Sequence, residues 1–334
     1  MALLLALAVV GAQAPAAREP GVQLTRSTAL SLPGPADSNS PAVWEIVNGV
    51  PTLHVLTSVD GFPNRATGRR LGALSTASPV RFTDPAPLHG VWMEAVIADV
   101  DGTWYGYYHN EIPAEAQCGD PARVIPRIGA ARSTDHGVTW VDLGVVLEAP
   151  SRSHVCASQN RYFVGGVGDF SVVLDHESRD VYFFYSSYVS RDWGQGVSVA
   201  RMAWADRDAP VGRMSTYTRG IWLPAREFTL DESGQSTWYY PVATPVYRTA
   251  KSWHLDGPST DAFWGPSVHW NTHLEQWVML LNRASDMTWK QEGIYVAFSP
   301  TLEDPSQWTT PRRILSGGAW YPQVLGTEVG AGTD

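Results

Sequence analysis

The chain carries little charge. Only 17% of its 334 residues are Asp, Glu, Lys or Arg, and the net charge is −9. That balance argues against a nucleic-acid or anionic-membrane surface as a partner, since neither counterion release nor attraction to lipid headgroups would favour it. Cysteine is scarce, with Cys118 and Cys156 alone. In an exported chain the two could pair. The alternative is two buried thiols, and spacing does not decide between them, because a bridge depends on Cα separation. After the first residues no apolar run approaches membrane-spanning length. Sustained helical periodicity is absent too. There is no G-x-S-x-G elbow to support a Ser–His–Asp hydrolase, and no paired C-x-x-C spacing for a metal. The glycines of Gly165-Gly166-x-Gly168 lead into a strand rather than a helix, so a nucleotide-phosphate reading fails on context.

What is present is aromatic. The chain has 15 Trp and 13 Tyr, most of which are expected in the core. Flat aromatic faces also stack on the apolar faces of sugar rings. At the start, Leu3–Val10 is a short apolar run followed by Ala12-Gln13-Ala14. That is the pattern of a signal peptide over 1–14, without its usual positive beginning, and it implies a secreted or periplasmic protein. A polar, Pro-rich segment follows over 15–35. From there to 334 the chain reads as one all-β domain, with apolar and aromatic runs of four to eight residues bounded by Gly, Pro, Asn and Asp.

These strands repeat as hairpin units. The first runs from Asn39 through an Asn48-Gly49 turn to Ser58, and both turn residues suit φ > 0. The second is GVWMEAVI from Gly90, turning at Asp101-Gly102 into TWYGYYH. The third opens at Asp169 and turns at Glu177–Arg179. The fourth opens at Trp264 and turns after Asn271, and a fifth opens as WYPQVL from Trp320. Units of this size suit four-stranded blades, which bury their faces only against neighbouring blades. The expectation is a five-bladed β-propeller. Its last blade would be incomplete at the C-terminus, or completed by the N-terminal segment. A β-sandwich is the competing architecture.

In a propeller the inner strands line an axial channel, and their openings converge at one mouth. Those openings supply Asp37, Glu94 and Asp169 from three blades, with Trp92, Trp264, Trp320, Tyr321 and Gln323 beside them. Two carboxyl groups suffice for glycoside cleavage, and a third raises the pKa of the acid. Glu94 sits inside an apolar strand, where an isolated buried carboxylate is costly, so a channel-facing position is expected. His89 and His109 flank the Glu94 hairpin and are candidates to contact sugar hydroxyls or a bound ion; His154 lies near another opening. No resident cofactor or metal is expected, with a structural cation in the axial channel left open. The expected partner is an oligo- or polysaccharide.

The segment Ser133–Trp140, STDHGVTW, fits the Asp-box pattern S-x-D-x-G-x-T-W. Asp accepts backbone donors within a turn, Gly supplies φ > 0 and Trp packs beneath. Asp-boxes occur in sialidases and in many unrelated propellers. A sialidase also needs an arginine cluster for the substrate carboxylate, which is not identifiable here. With the blade openings, the ending SPTLEDPSQWTTPRRIL from Ser299 and the WYPQV from Trp320, the chain resembles the five-bladed propeller glycoside hydrolases of families 43 and 32 and their uncharacterised relatives. The resemblance runs from about Asp37 to Gly326. It implies Asp37 as base or nucleophile, Glu94 as the group that tunes pKa or holds the sugar, and Asp169 as the acid. The chain departs from the pattern by carrying Glu and Asp where the family has Asp and Glu. Each exchange moves a carboxyl by about 1.5 Å, enough to disturb a positioned acid. A non-catalytic carbohydrate-binding or scaffold propeller is the alternative.

Overall fold

The computed structural model describes residues 19–190, 192–230, 235–254, 261–286 and 288–330. The expected signal peptide therefore lies outside the described residues, and 19–35 runs without helix or strand. The first sheet comprises β1 (Ala42–Val47), β2 (Val50–Val59), β3 (Phe62–Gly68) and β4 (Ser78–Pro79), in that order. The second takes β5 (Arg81–Phe82), β6 (Gly90–Ala98), β7 (Trp104–Pro113), β8 (Val124–Ser133) and β9 (Thr139–Leu147), with β6 at one edge and β5 parallel to β9 at the other. A four-residue helix, α1 (Glu115–Cys118), interrupts the β7–β8 connection.

The third sheet runs β10 (Val167–Asp175), β11 (Asp180–Ser187), β12 (Gly196–Ala203), β13 (Ser215–Thr218) and β14 (Ile221–Pro224). A separate hairpin, β15 (Arg226–Leu230) and β16 (Gln235–Tyr239), precedes β17 (Tyr247–Arg248), which pairs with β12. The fourth sheet is β18 (Ala262–Asn271), β19 (Gln276–Ala284), β20 (Gln291–Ser299) and β21 (Arg312–Ser316).

The four hairpins β1–β2, β6–β7, β10–β11 and β18–β19 fall where the repeat predicts them. The first turn has Asn48 at φ 50° and Gly49 at φ 78°, as a two-residue hairpin turn requires. Strand alternation then explains the packing of the sheets on each other. In the third sheet Phe170, Val172 and Phe183 meet Tyr107 and Ile128 of the second. Val173, Tyr182 and Phe184 point the other way, to Val268, Met279 and Leu281 of the fourth. A sheet covered on both faces reads as a nearly unbroken apolar run, as β10 and β11 do. Leu56 of the first sheet packs on Met93, Trp104 and Trp140 of the second. This is a β-propeller arrangement of four blades, with β10 in contact with both β6 and β18.

The expected fifth blade is not seen as a sheet. Residues 320–326 form no strand. Pro322 has no N–H to donate, and Tyr321 takes a left-handed φ of 58°, which takes it out of extended geometry. The segment instead bridges the fourth blade to the first. The Trp320 indole donates to the Trp289 carbonyl (3.0 Å), and Tyr321 packs edge-on against Trp264. Further on, Gln323 accepts the Ser40 N–H (2.9 Å) and the Gly326 carbonyl accepts the Trp44 indole N–H (3.1 Å).

Candidate active site

Three inner strands carry an irregularity near the same end. The register of β6 slips between Met93 and Ala95, leaving Glu94 at the bulge. That of β10 slips between Gly168 and Phe170, leaving Asp169 there at φ 43°. That of β18 slips between Trp264 and Ser267. A bulge takes one residue out of the ladder and re-aims its side chain. Here two bulges turn carboxylates of neighbouring blades toward each other. Gly168 permits the approach, because a Cβ there would lie 2.5 Å from His109 Cε1.

The resulting pocket, of roughly 530 Å³ counting space open to solvent, is lined by Asp37, Glu94 and Asp169 together with His109 and Glu111. Its walls are aromatic: Trp92, Tyr162, Phe163, Trp264, Trp289, Trp320 and Tyr321.

Hydrogen bonds hold the charged groups. Glu94 Oε2 accepts the Phe170 N–H (2.8 Å), and the Phe170 carbonyl accepts the Asn39 side-chain amide (2.8 Å). Asp169 Oδ2 accepts the Tyr188 hydroxyl, and Oδ1 accepts that of Tyr321 (3.0 Å). The Asp169 N–H points at His109 Nδ1 (3.2 Å), and His109 Nε2 lies 3.2 Å from Glu111 Oε1. Neutral His109 satisfies both contacts by accepting at Nδ1 and donating from Nε2. Protonated, it offers Nδ1–H to Glu94 Oε1, 3.5 Å away.

Burial decides the titration. Glu94 and Asp169 are 3% and 5% exposed. Desolvation pushes the Glu94 carboxyl up to about 8 against the opposing pull of His109. Desolvation also raises Asp169, with His109 and the two tyrosine hydroxyls pulling the other way. For His109 burial alone would lower the pKa. The bond to Glu111 and the charges of Glu111, Asp169 and Glu94 overcome it and raise the imidazole to about 9. Asp37 is exposed at the rim. Its pKa is also raised, first by partial desolvation and then by Asp169 and Glu111. The pocket is thus a set of carboxylates sharing protons with one imidazole.

Glu94, His109 and Asp169 offer one potential metal-ligand atom each, all within 4.8 Å of one another. Two carboxylates and an imidazole form a mixed O/N donor set, which suits a borderline divalent transition metal better than an all-oxygen hard cation. Both Asp169 oxygens and both His109 nitrogens already face protein partners, so a cation would compete with those contacts.

Two expected residues are not brought to the pocket. His89 is exposed in the turn before β6 at φ 69°. The Asn110 side chain fixes that turn by donating to the Leu88 and Gly90 carbonyls. Gln323 is spent on the Ser40 N–H. His154 likewise stays outside, with Nδ1 against Gln117 Oε1 (2.6 Å). Trp264 reaches the pocket, yet at 1% exposure it is no open platform. It packs edge-on against Trp289 (4.6 Å) and Trp320 (5.6 Å). The accessible aromatic surface is that of Trp92, Tyr162, Trp320 and Tyr321.

Four lining residues escaped the sequence reading. Glu111 stands two positions after His109 on β7, and residues two apart share a sheet face, so that signal was available. Tyr162 and Phe163 come from a loop without periodicity. That loop is held by Asn160 Oδ1, which accepts both of their N–H groups, by Arg123, which donates to the Ser158 and Cys156 carbonyls, and by the Cys118–Cys156 disulfide. Trp289 sits in a loop at φ 62° and stacks on Trp253 at 4.2 Å.

No family profile matches the chain, and no curated protein matches it in sequence. Among solved structures, the fold is similar to that of a family 43 glycoside hydrolase from Bacillus licheniformis (14% identity, 83% of this chain and 54% of that one, TM-score 0.45). It is similar also to an endo-arabinase from Bacteroides thetaiotaomicron (12% identity, 86% and 84%, TM-score 0.47). A third is an exo-beta-1,3-galactanase from Phanerochaete chrysosporium (12% identity, 83% and 50%, TM-score 0.46). The chain spans about half the length of the first and the third.

Proposed function

We propose that this protein is a glycoside hydrolase, exported to the periplasm or the medium, that cleaves a glycan at the axial pocket. One observation carries the reading. Carboxylates borne by separate inner strands converge there, and those of Glu94 and Asp169 lie within 4.8 Å of each other and of His109. Glycosidic cleavage needs one protonated carboxyl and one ionised one. Burial favours a retained proton on the Glu94–Asp169 pair near neutral pH, whereas Asp37, reached by water at the rim, ionises more readily. In this reading Asp169 gives a proton to the leaving oxygen. Asp37 activates water or attacks the sugar carbon, and Glu94, its side chain 1% exposed, tunes the acid. Trp92, Tyr162 and Trp320 stack on sugar rings. The disulfide suits an oxidising compartment, in keeping with a signal peptide at 1–14, and the Ser133–Trp140 turn fits an Asp-box.

The test is a hydrolysis screen over plant and microbial glycans, with wild type beside Asp169→Asn, Glu94→Gln and Asp37→Asn. Wild type should release sugar, and Asp169→Asn should be slower by about 10²–10⁴-fold. Equal rates in wild type and all three variants would sink the assignment. A binding-only protein is the second reading, favoured by the engagement of both Asp169 oxygens with tyrosine hydroxyls. It predicts glycan binding with no cleavage.

A further inference from the structure

A second cavity lies beside the third blade, roughly 1270 Å³ counting space open to solvent. Its walls come from the loop after β9, the residues following β11, the β13–β14 hairpin and the end of β16. Arg152, Trp193, Arg219, Ile221, Tyr239 and Val242 are among them. The chain has a net charge of −9, yet no Asp or Glu stands among the described lining residues.

The Arg152 guanidinium is held in place by a tyrosine, Arg219 is fixed through its backbone, and neither has a carboxylate beside it among the described residues. The Arg152 guanidinium lies over the Tyr239 ring, 5.1 Å from its centroid, and donates to Tyr239 Oη (2.6 Å). Arg219 occupies the β13–β14 turn at φ 52°, and its backbone N–H donates to Thr244 Oγ1 (2.9 Å). Neither has a carboxylate partner among the described residues, while seven other arginines do. A guanidinium is a planar fork of donors that fits a carboxylate in two parallel bonds. Beside them Trp193 is 40% exposed and offers an aromatic face. A neutral sugar would use that face and leave both guanidinium groups to water. A bare phosphate ion would use the charges and leave the aromatic and aliphatic walls wet. A ring that carries a carboxylate uses both.

We propose that this cavity is a second, non-catalytic binding site for an acidic saccharide. The uronate carboxylate meets Arg152 and Arg219, and the sugar ring lies against Trp193. The site stands whether or not the axial pocket hydrolyses anything. The chain links it to that pocket: Tyr188, which holds Asp169, is followed directly by Val189 and Ser190 of the cavity wall.

Isothermal titration calorimetry with trigalacturonate and with neutral galactotriose tests it, on wild type, Arg152→Gln, Arg219→Gln and Trp92→Ala, the last altering only the axial pocket. Trigalacturonate should bind wild type and Trp92→Ala alike. Arg219→Gln should weaken it by at least about tenfold, and added salt should weaken it further. Both arginines are exposed, and Arg219→Gln removes no side-chain bond among the described residues, so a loss there is not a loss of folding. Any of four results overturns the proposal: no binding of trigalacturonate, galactotriose binding that Arg219→Gln weakens as much, unchanged affinity in both arginine variants, or loss in Trp92→Ala alone.

Discussion

Tyr188→Phe and Tyr321→Phe ask which way the protons at Asp169 run. As the structure stands, both hydroxyls donate to the carboxylate, Tyr188 from a fully buried position and Tyr321 from a partly exposed one. A hydrogen bond to a charged acceptor contributes about 1.5–3 kcal/mol, and one pKa unit corresponds to about 1.4 kcal/mol. Losing one such donor should therefore raise Asp169 by about 1–2 units, on top of the rise that burial already causes. The larger shift belongs to Tyr188→Phe, because water can stand in for the Tyr321 hydroxyl and cannot easily reach that of Tyr188. Carboxyl carbon NMR of protein labelled at aspartate, with Asp169→Asn to assign the signal, reads the midpoint directly. Where activity is found, the alkaline limb of its pH profile should move up by the same amount. A downward shift in Tyr188→Phe would refute the reasoning, since it would mean that a protonated Asp169 donates to the tyrosine and the hydroxyl had been stabilising the neutral acid.

Glu111→Gln should lower His109 from about 9 toward the ordinary imidazole range, because the bond to Glu111 is the strongest of the effects holding it up; an imidazole NMR titration measures it. A raised histidine pKa stabilises the fold below the unfolded value near 6.5 and loses that contribution as pH rises through 9. The urea midpoint of wild type should accordingly fall between pH ~6.5 and ~9, and that fall should be shallower in Glu111→Gln. Reducing the Cys118–Cys156 bond, which closes a separation of 38 residues, should cost up to about 4 kcal/mol on chain-entropy grounds. Urea unfolding with and without reductant checks the loss, and Tyr162 and Phe163 should gain mobility.

The hairpins were legible because their signals are local. Asn48-Gly49 and Asp101-Gly102 specify turns, and the aromatic runs on either side specify strands whatever lies around them. The convergence of Glu94 and Asp169 was legible in part. Both interrupt strands that are otherwise apolar, which marks a special environment. The bulges that turn them inward are register events between two strands, and no single segment announces those. Glu111 follows from period two once β7 is placed. Tyr162 and Trp289 do not follow from any period, since loops held by side-chain amides and a disulfide carry their order in contacts distant in sequence.

WYPQV is the instructive misreading, because it has the look of a blade opening and a different use. A strand there would have pointed Tyr321 and Gln323 to one face. With Tyr321 left-handed, the two side chains serve different neighbours, Asp169 and the Ser40 backbone. The segment fills the gap between the last blade and the first with side-chain bonds where a fifth sheet was expected. In doing so it delivers a hydroxyl to the carboxylate at the head of β10. Closure of the ring and the protonation of Asp169 therefore depend on the same few residues. A substitution that loosens 320–326 should disturb the titration of Asp169 even when it touches neither Tyr321 nor any carboxylate. Gln323→Ala is the cleanest case, since Gln323 meets only the Ser40 N–H among the described bonds.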